Sequence, residues 1–238
     1  MRRRAPMRNS GTIVACVLAV LVAGCAAGGT VRGWPGVGGN RTGPEAGCPP
    51  IMSHFDDPMN NYGTRDRMLS NDPPWNKPHS GIDFDVPAGT PVLAVADGLV
   101  TPIMYNELSP IGAISMVLYH GEDTDGRYVF SFYSHLSEQR KKPGERVRRG
   151  EVIALSGTTG TKEAHLHLSL WRTPVGPHPT AFRAFMWRAI GRSDRSILAD
   201  PALSWADPRR PGFDPGRSYA ERPIRLTYPL PCTAPPVR

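Results

Sequence analysis

His165-Leu166-His167-Leu168-Ser169-Leu170 alternates strictly between polar and apolar residues. A side-chain period of two belongs to a strand, so His165, His167 and Ser169 share one face and the three leucines pack on the other. Two imidazoles therefore project together from a half-buried strand. Far upstream, His79-Ser80-Gly81-Ile82-Asp83 opens a second alternating segment, in which Ile82, Phe84 and Val86 face one way and Asp83 and Asp85 the other. Catalytic zinc typically takes three protein ligands from His, Asp or Glu and leaves a fourth position for water. One His-x-x-x-Asp and one His-x-His can supply them, with candidates to spare for other work.

Outward from these two segments the chain reads as strands. Pro87-Ala88-Gly89-Thr90 turns it into Pro91 to Val95, and Ala96-Asp97-Gly98 turns it again into Leu99 to Met104. Two longer strands, Ile114 to His120 and Arg127 to Leu136, flank a polar loop from Gly121 to Gly126. Closely spaced strands with glycine turns and no helical period between them predict antiparallel sheet rather than βαβ units. Gly89-Thr90-Pro91-Val92-Leu93-Ala94 is echoed by Gly150-Glu151-Val152-Ile153-Ala154, as in compact sandwich hybrids. The expected fold is mainly β, a compact antiparallel β-sandwich or barrel-sandwich hybrid with a zinc groove, over residues 51–175.

Residues 176–238 form an extension with less chemistry. Thr180 is placed to cap a short helix whose stripe is Phe182, Phe185, Met186 and Ile190, with Gly191 at its end. From Asp200 onward prolines recur and no period persists, which predicts an irregular proline-rich tail laid over the domain or partly mobile. His54, His120 and His178 are read as surface or packing residues.

The start of the chain reads as an export signal, residues 1–24. Arg2, Arg3, Arg4 and Arg8 precede an apolar run from Thr12 to Ala23, shorter than the roughly 20 residues of a membrane-spanning helix. Its ending, Leu21-Val22-Ala23-Gly24-Cys25, resembles the lipobox of bacterial lipoproteins, which implies a diacylglyceryl group on Cys25 and a membrane anchor. Ala26 and Ala27 lack the aspartate that retains many lipoproteins in an inner membrane, so the expected location is the outer membrane, facing the periplasm. Residues 25–50 are then the lipidated cysteine and a glycine-rich tether spanning roughly 25 to 30 Å as a flexible coil.

The formal charge is +7 over 238 residues, but four arginines and no acids precede Cys25, which leaves +3 on the rest. That balance removes the basis for a nucleic-acid reading. With Cys16 in the signal and Cys25 acylated, Cys48 and Cys232 are the remaining pair. Export to an oxidising compartment predicts a disulfide between them. Oligomeric state is not legible.

Four elements in order resemble the lysostaphin-type (LytM-like) zinc metallopeptidases, which cut peptide bonds in bacterial peptidoglycan. They are His79-Ser80-Gly81-Ile82-Asp83, the turn-rich Val86 to Gly98, Tyr133-Ser134-His135-Leu136, and Gly157-Thr158-Thr159-Gly160 leading to His165-Leu166-His167. The resemblance implies a Zn2+ ion on His79, Asp83 and His167. It makes His135 and His165 the catalytic histidines; we assign His165 as base and His135 to the oxyanion side, a division that the sequence leaves open. Before the first ligand, relatives carry an aromatic-glycine-x-arginine segment that Tyr62-Gly63-Thr64-Arg65 approximates. After His167, Leu168 and Ser169 replace an aromatic and an acid.

The implied function is a lipid-anchored zinc endopeptidase acting on peptidoglycan cross-links or stem peptides. The rivals are a non-catalytic relative that activates cell-wall amidases, a secreted protease of glycine-rich proteins, and a structural lipoprotein with adventitious zinc. Retention of all five polar residues opposes the first, the anchor opposes the second, and the spacing of both motifs opposes the third.

Overall fold

The computed structural model describes residues 47–56, 79–105, 112–182, 184–185 and 196–233. The predicted signal, Cys25, most of the tether, and the Tyr62 to Arg65 and Asn71 to Pro78 stretches lie outside the described residues. Among the described residues, eleven strands fall in two antiparallel sheets. The larger has the order β1 (Ile51–Ser53), β2 (Ile82–Phe84), β10 (Leu166–Thr173), β6 (Tyr128–Ser134), β5 (Met116–Glu122), β4 (Gly98–Val100) and β8 (Arg146–Val147), with β11 (Leu198–Ala199) also on β10. The smaller has the order β3 (Pro91–Leu93), β9 (Val152–Ser156) and β7 (Leu136–Gln139). The mainly β, antiparallel expectation is met.

Register explains which residues meet. In β10, Leu166 pairs with Phe84 and Leu168 with Ile82 on β2, while His167 pairs with Asp83. On the other side His167 pairs with Ser134, Ser169 with Phe132 and Trp171 with Phe130 of β6. Because side chains alternate, the leucines, Ile82, Phe84, Tyr133 and Met116 enter one core, which Val92, Ile153 and Ala154 of the small sheet also join. The opposite face carries Asp83 and His167 and continues into a second apolar cluster of Val117, Phe130, Trp171 and Phe182. The two echoed segments are partners: Val92 pairs with Ala154 and Leu93 with Val152.

Strand boundaries differ from the sequence reading where the backbone turns. The strand read over Leu99 to Met104 ends at Val100; the Thr101 hydroxyl then donates to Val117 O (3.1 Å) and Met104 is left-handed at φ 55°. The strand read over Ile114 to His120 runs from Met116 to Glu122. The long strand read over Arg127 to Leu136 is broken at His135, whose φ of 63° takes the chain from the large sheet to the small one. Only a few per cent of non-glycine residues adopt such a φ, and they cluster at functional sites.

The helix opens at residue 179, one position before the expected cap, with a proline in its first turn where no N–H is needed. His178 is the cap: Ala181 N–H donates to its Nδ1 (3.4 Å) and Phe182 N–H to its carbonyl (2.8 Å). Phe182 is fully buried against Phe130, ring centroids 4.5 Å apart, so the packing role holds. Met186 to Gly191 lie outside the described residues.

The stretch from Asp200 is irregular, yet it is more than a covering. Trp205, Ile224, Leu226, Tyr228 and Leu230 are buried members of the main core. Backbone bonds tie it to β3 and its exit: Leu93 N–H donates to Pro229 O (2.7 Å) and Thr227 N–H to Val95 O (2.8 Å). Asp123 accepts Ile224 N–H (3.0 Å) and pairs with Arg172 (2.8 Å). Cys48 and Cys232 are joined, 184 residues apart in sequence.

Candidate metal centre and active site

Adjacent antiparallel strands place Asp83 and His167 side by side, and His79 approaches from the residues just before β2. Gly81 permits that approach: a Cβ there would stand 2.2 Å from Leu168 O and 2.8 Å from Ser169 Oγ. No side chain fits in such a gap. The outcome is a converging set. His79 Nε2 lies 3.0 Å from His167 Nδ1 and 3.1 Å from Asp83 Oδ2, and His167 Nδ1 lies 2.8 Å from Asp83 Oδ1. All three residues are buried.

These separations suit a metal ion. Ligand atoms about 2.1 Å from a tetrahedral ion stand about 3.4 Å from one another. Asp83 Oδ2 is buried without a hydrogen-bond partner although His79 Nε2 is close, because the geometry there is not that of a hydrogen bond. Buried carboxylate oxygens are costly to leave so, and a cation is the group that satisfies them. Burial opposes ionisation of Asp83, but the His79 and His167 imidazoles beside it outweigh burial and hold the carboxyl well below the usual carboxylate range. Its charged form is the one a metal requires.

The outer nitrogens of both imidazoles are engaged. His79 Nδ1 donates to His54 O (3.0 Å), with Ser53 Oγ at 3.1 Å; a carbonyl can only accept, so Nε2 carries the lone pair that faces the centre. His167 Nε2 lies 2.7 Å from Ser169 Oγ. Partners of this kind fix the orientation of ligating histidines. Burial lowers the pKa of His167, against the influence of Asp83, which favours the neutral, ligating form.

His135 and His165 stand beside this set, their ring centroids 4.3 Å apart, and His165 Nε2 is 4.0 Å from Asp83 Oδ1. His165 Nδ1 donates to Glu163 O (2.9 Å) and His135 Nδ1 to Thr159 O (2.8 Å). Both rings are thus held as the tautomer with an unprotonated Nε2. Burial pushes the pKa of His135 down to about 4 and also lowers that of His165. The fold brings together all five residues singled out in the sequence.

Sequence reasoning missed the backbone acceptors His54 O, Thr159 O and Glu163 O, which any residue type supplies. It also misread His120. That ring donates from Nδ1 to Asp97 O (2.8 Å) and faces Ser131 Oγ (2.7 Å), which in turn meets Tyr133 Oη (3.1 Å), so it belongs to a partly buried polar chain between sheet and turn.

An antiparallel β domain with a buried His/Asp/His donor set and two neutral histidines beside it defines a metallopeptidase-like class. Residues 77–178 match the model of peptidase family M23. Over 92 residues, 38% of this chain and 18% of the relative, it is 42% identical to an uncharacterized metalloprotease of Haemophilus influenzae. It is 39% identical to the peptidoglycan DD-endopeptidase ShyA of Vibrio cholerae over 39% of this chain and 20% of that one. It is 37% identical to the glycyl-glycine endopeptidase ALE-1 of Staphylococcus capitis over 37% of this chain and 23% of that one. The chain spans about a fifth of the length of these curated relatives.

Proposed function

We propose that this protein is a zinc-dependent endopeptidase that hydrolyses peptide bonds of bacterial peptidoglycan. The observation that carries the reading is the convergence of His79 Nε2, Asp83 and His167 Nδ1 within 2.8 to 3.1 Å, with His135 and His165 alongside. The similarity to the peptidoglycan DD-endopeptidase ShyA supports the substrate class. Retention of all five side chains weighs against a non-catalytic regulator.

His79, Asp83 and His167 would hold a zinc ion, which would supply a Lewis acid for the scissile carbonyl and the attacking water. His165, unprotonated at Nε2, accepts the proton of that water and returns it to the leaving amine. His135 sits on the oxyanion side. Its Nδ1–H is held by Thr159 O, which fixes the ring with Nε2 turned toward the site. The carbonyls of Thr159 and Glu163 keep both rings aimed while protons move.

On the sequence at Cys25, the protein is anchored by lipid in the cell envelope, facing the periplasm from the outer membrane. The test of function is digestion of purified peptidoglycan with the zinc-loaded protein, followed by mass spectrometry of released peptides. The expected result is chelator-sensitive release of fragments that identify one cleaved bond type. Intact peptidoglycan after digestion contradicts the reading.

A further inference from the structure

The segment from Gly47 to His54 gives no donor to the metal centre, yet its far end touches one. His79 Nδ1 donates to His54 O and lies 3.1 Å from Ser53 Oγ, and Asp56 N–H donates to His79 O (3.0 Å). Rotation of the His79 ring would break the first two contacts. The orientation of Nε2 therefore depends on where Ser53 and His54 are held.

Their own strand is short. β1 has three residues, lies at the edge of the sheet, and pairs with β2 through Ile51 and Ser53 in an irregular register. A pairing so short has little stability of its own. Asp85 N–H donates to Pro50 O (2.9 Å), and at the other end of the segment further holds come from the C-terminal stretch. Cys232 is bonded to Cys48, Thr233 N–H and Oγ1–H both donate to Gly47 O (2.8 and 3.1 Å), and Tyr228 Oη–H donates to Pro49 O. Tyr228 is fully buried and packs edge-on against Phe84, centroids 4.9 Å apart, next to the ligand Asp83.

We propose that Ser53 and the His54 carbonyl are positioning groups for His79, and that the Cys48–Cys232 disulfide with Tyr228 is the strap that keeps them in place. A tight metal site then requires the bridge to be closed. The C-terminal stretch, beyond the part matched by the family model, becomes an outer support of the centre. This inference rests on the ligand set proposed above.

The test is the zinc dissociation constant of the full chain, measured by chelator competition, beside the melting temperature of the metal-free protein. Ser53→Ala is expected to weaken zinc on the order of 10-fold, the usual effect of losing an outer partner of a ligating histidine, with little change in metal-free melting. Cys48→Ser/Cys232→Ser is expected to weaken zinc at least as much. Combined with Ser53→Ala, its effect should fall short of the product, because both act through the one imidazole. Phe182→Ala, a destabilising change in the other apolar cluster, should lower the melting temperature and leave zinc affinity unchanged. Wild-type zinc affinity in a folded Cys48→Ser/Cys232→Ser protein overturns the inference, as does an equal zinc loss in Phe182→Ala. If the double serine variant does not fold, Tyr228→Phe carries the test: weaker zinc binding supports the strap and wild-type affinity overturns it. Zinc retained by Asp83→Ala would instead sink the ligand set itself.

Discussion

His79 Nε2 and His167 Nδ1 face each other at 3.0 Å although 88 residues separate them in the chain. The His54 carbonyl accepts a hydrogen bond from the other His79 nitrogen, so a lone pair on Nε2 points at the second ring and at the Asp83 carboxylate. Electron-rich atoms crowded at this distance repel one another in a buried site, and a cation placed among them reverses the sign. The metal centre follows from the tautomer as much as from the residue types.

Gly81→Ala should prevent the approach of His79 to β10, because the added Cβ would lie 2.2 Å from Leu168 O, a backbone atom that cannot yield without moving the strand. A loss of about 3 kcal/mol is expected, read as a lower urea midpoint, together with loss of bound metal. A variant with wild-type midpoint and metal content would show that the strand has slack there.

Asp123 fastens the C-terminal stretch to the large sheet. Asp123→Ala leaves Ile224 N–H without its acceptor, removes one of the two carboxylates paired with Arg172, and should cost about 2 kcal/mol. Burial raises the Asp123 pKa, but hydrogen bonds from Thr124 N–H, Ile224 N–H and Arg172 outweigh it and hold the carboxyl below its ordinary value of 3.8. A depressed carboxylate contributes stability above that value and loses it as pH falls through the folded pKa. The urea midpoints of wild type and Asp123→Asn should therefore converge as pH is lowered from about 6 to about 3. A constant gap across that range would assign the role to packing.

The disulfide closes a loop across 184 residues, for which chain entropy gives up to about 5 kcal/mol of stabilisation. Cys48→Ser/Cys232→Ser should show a large fall in melting temperature. Free thiols recovered from both cysteines of the exported protein would dispose of the bridge.

Cys25→Ser should abolish lipid attachment and release the protein from the membrane fraction, since an acyl anchor is the hold expected from the sequence. Unchanged processing and membrane association in that variant would remove the lipoprotein reading.

The strict alternation from His165 to Leu170 made one half of the site legible, because a strand imposes its period on the sequence. The pairing of Cys48 with Cys232 was legible by elimination. Burial of Trp205, Ile224, Leu226, Tyr228 and Leu230 was not, since irregular backbone imposes no period on the residues it turns inward. The break at His135 was hidden for a related reason: a left-handed φ in a β-rich stretch leaves no mark when the residue is neither glycine nor asparagine. The holds on His79, His135 and His165 come from carbonyl groups, which carry no residue identity.

The division of duties among the five site residues is the central claim, and zinc per chain in two neighbouring variants tests it most directly. His167 and His165 share a strand face, yet the first is read as a ligand and the second as a proton acceptor. His167→Ala should lose zinc along with activity, since three protein ligands are the usual set for a catalytic site. His165→Ala should keep one zinc while its rate on purified cell wall falls on the order of 100- to 10,000-fold. A His165→Ala protein that loses zinc while His167→Ala retains it would contradict the account.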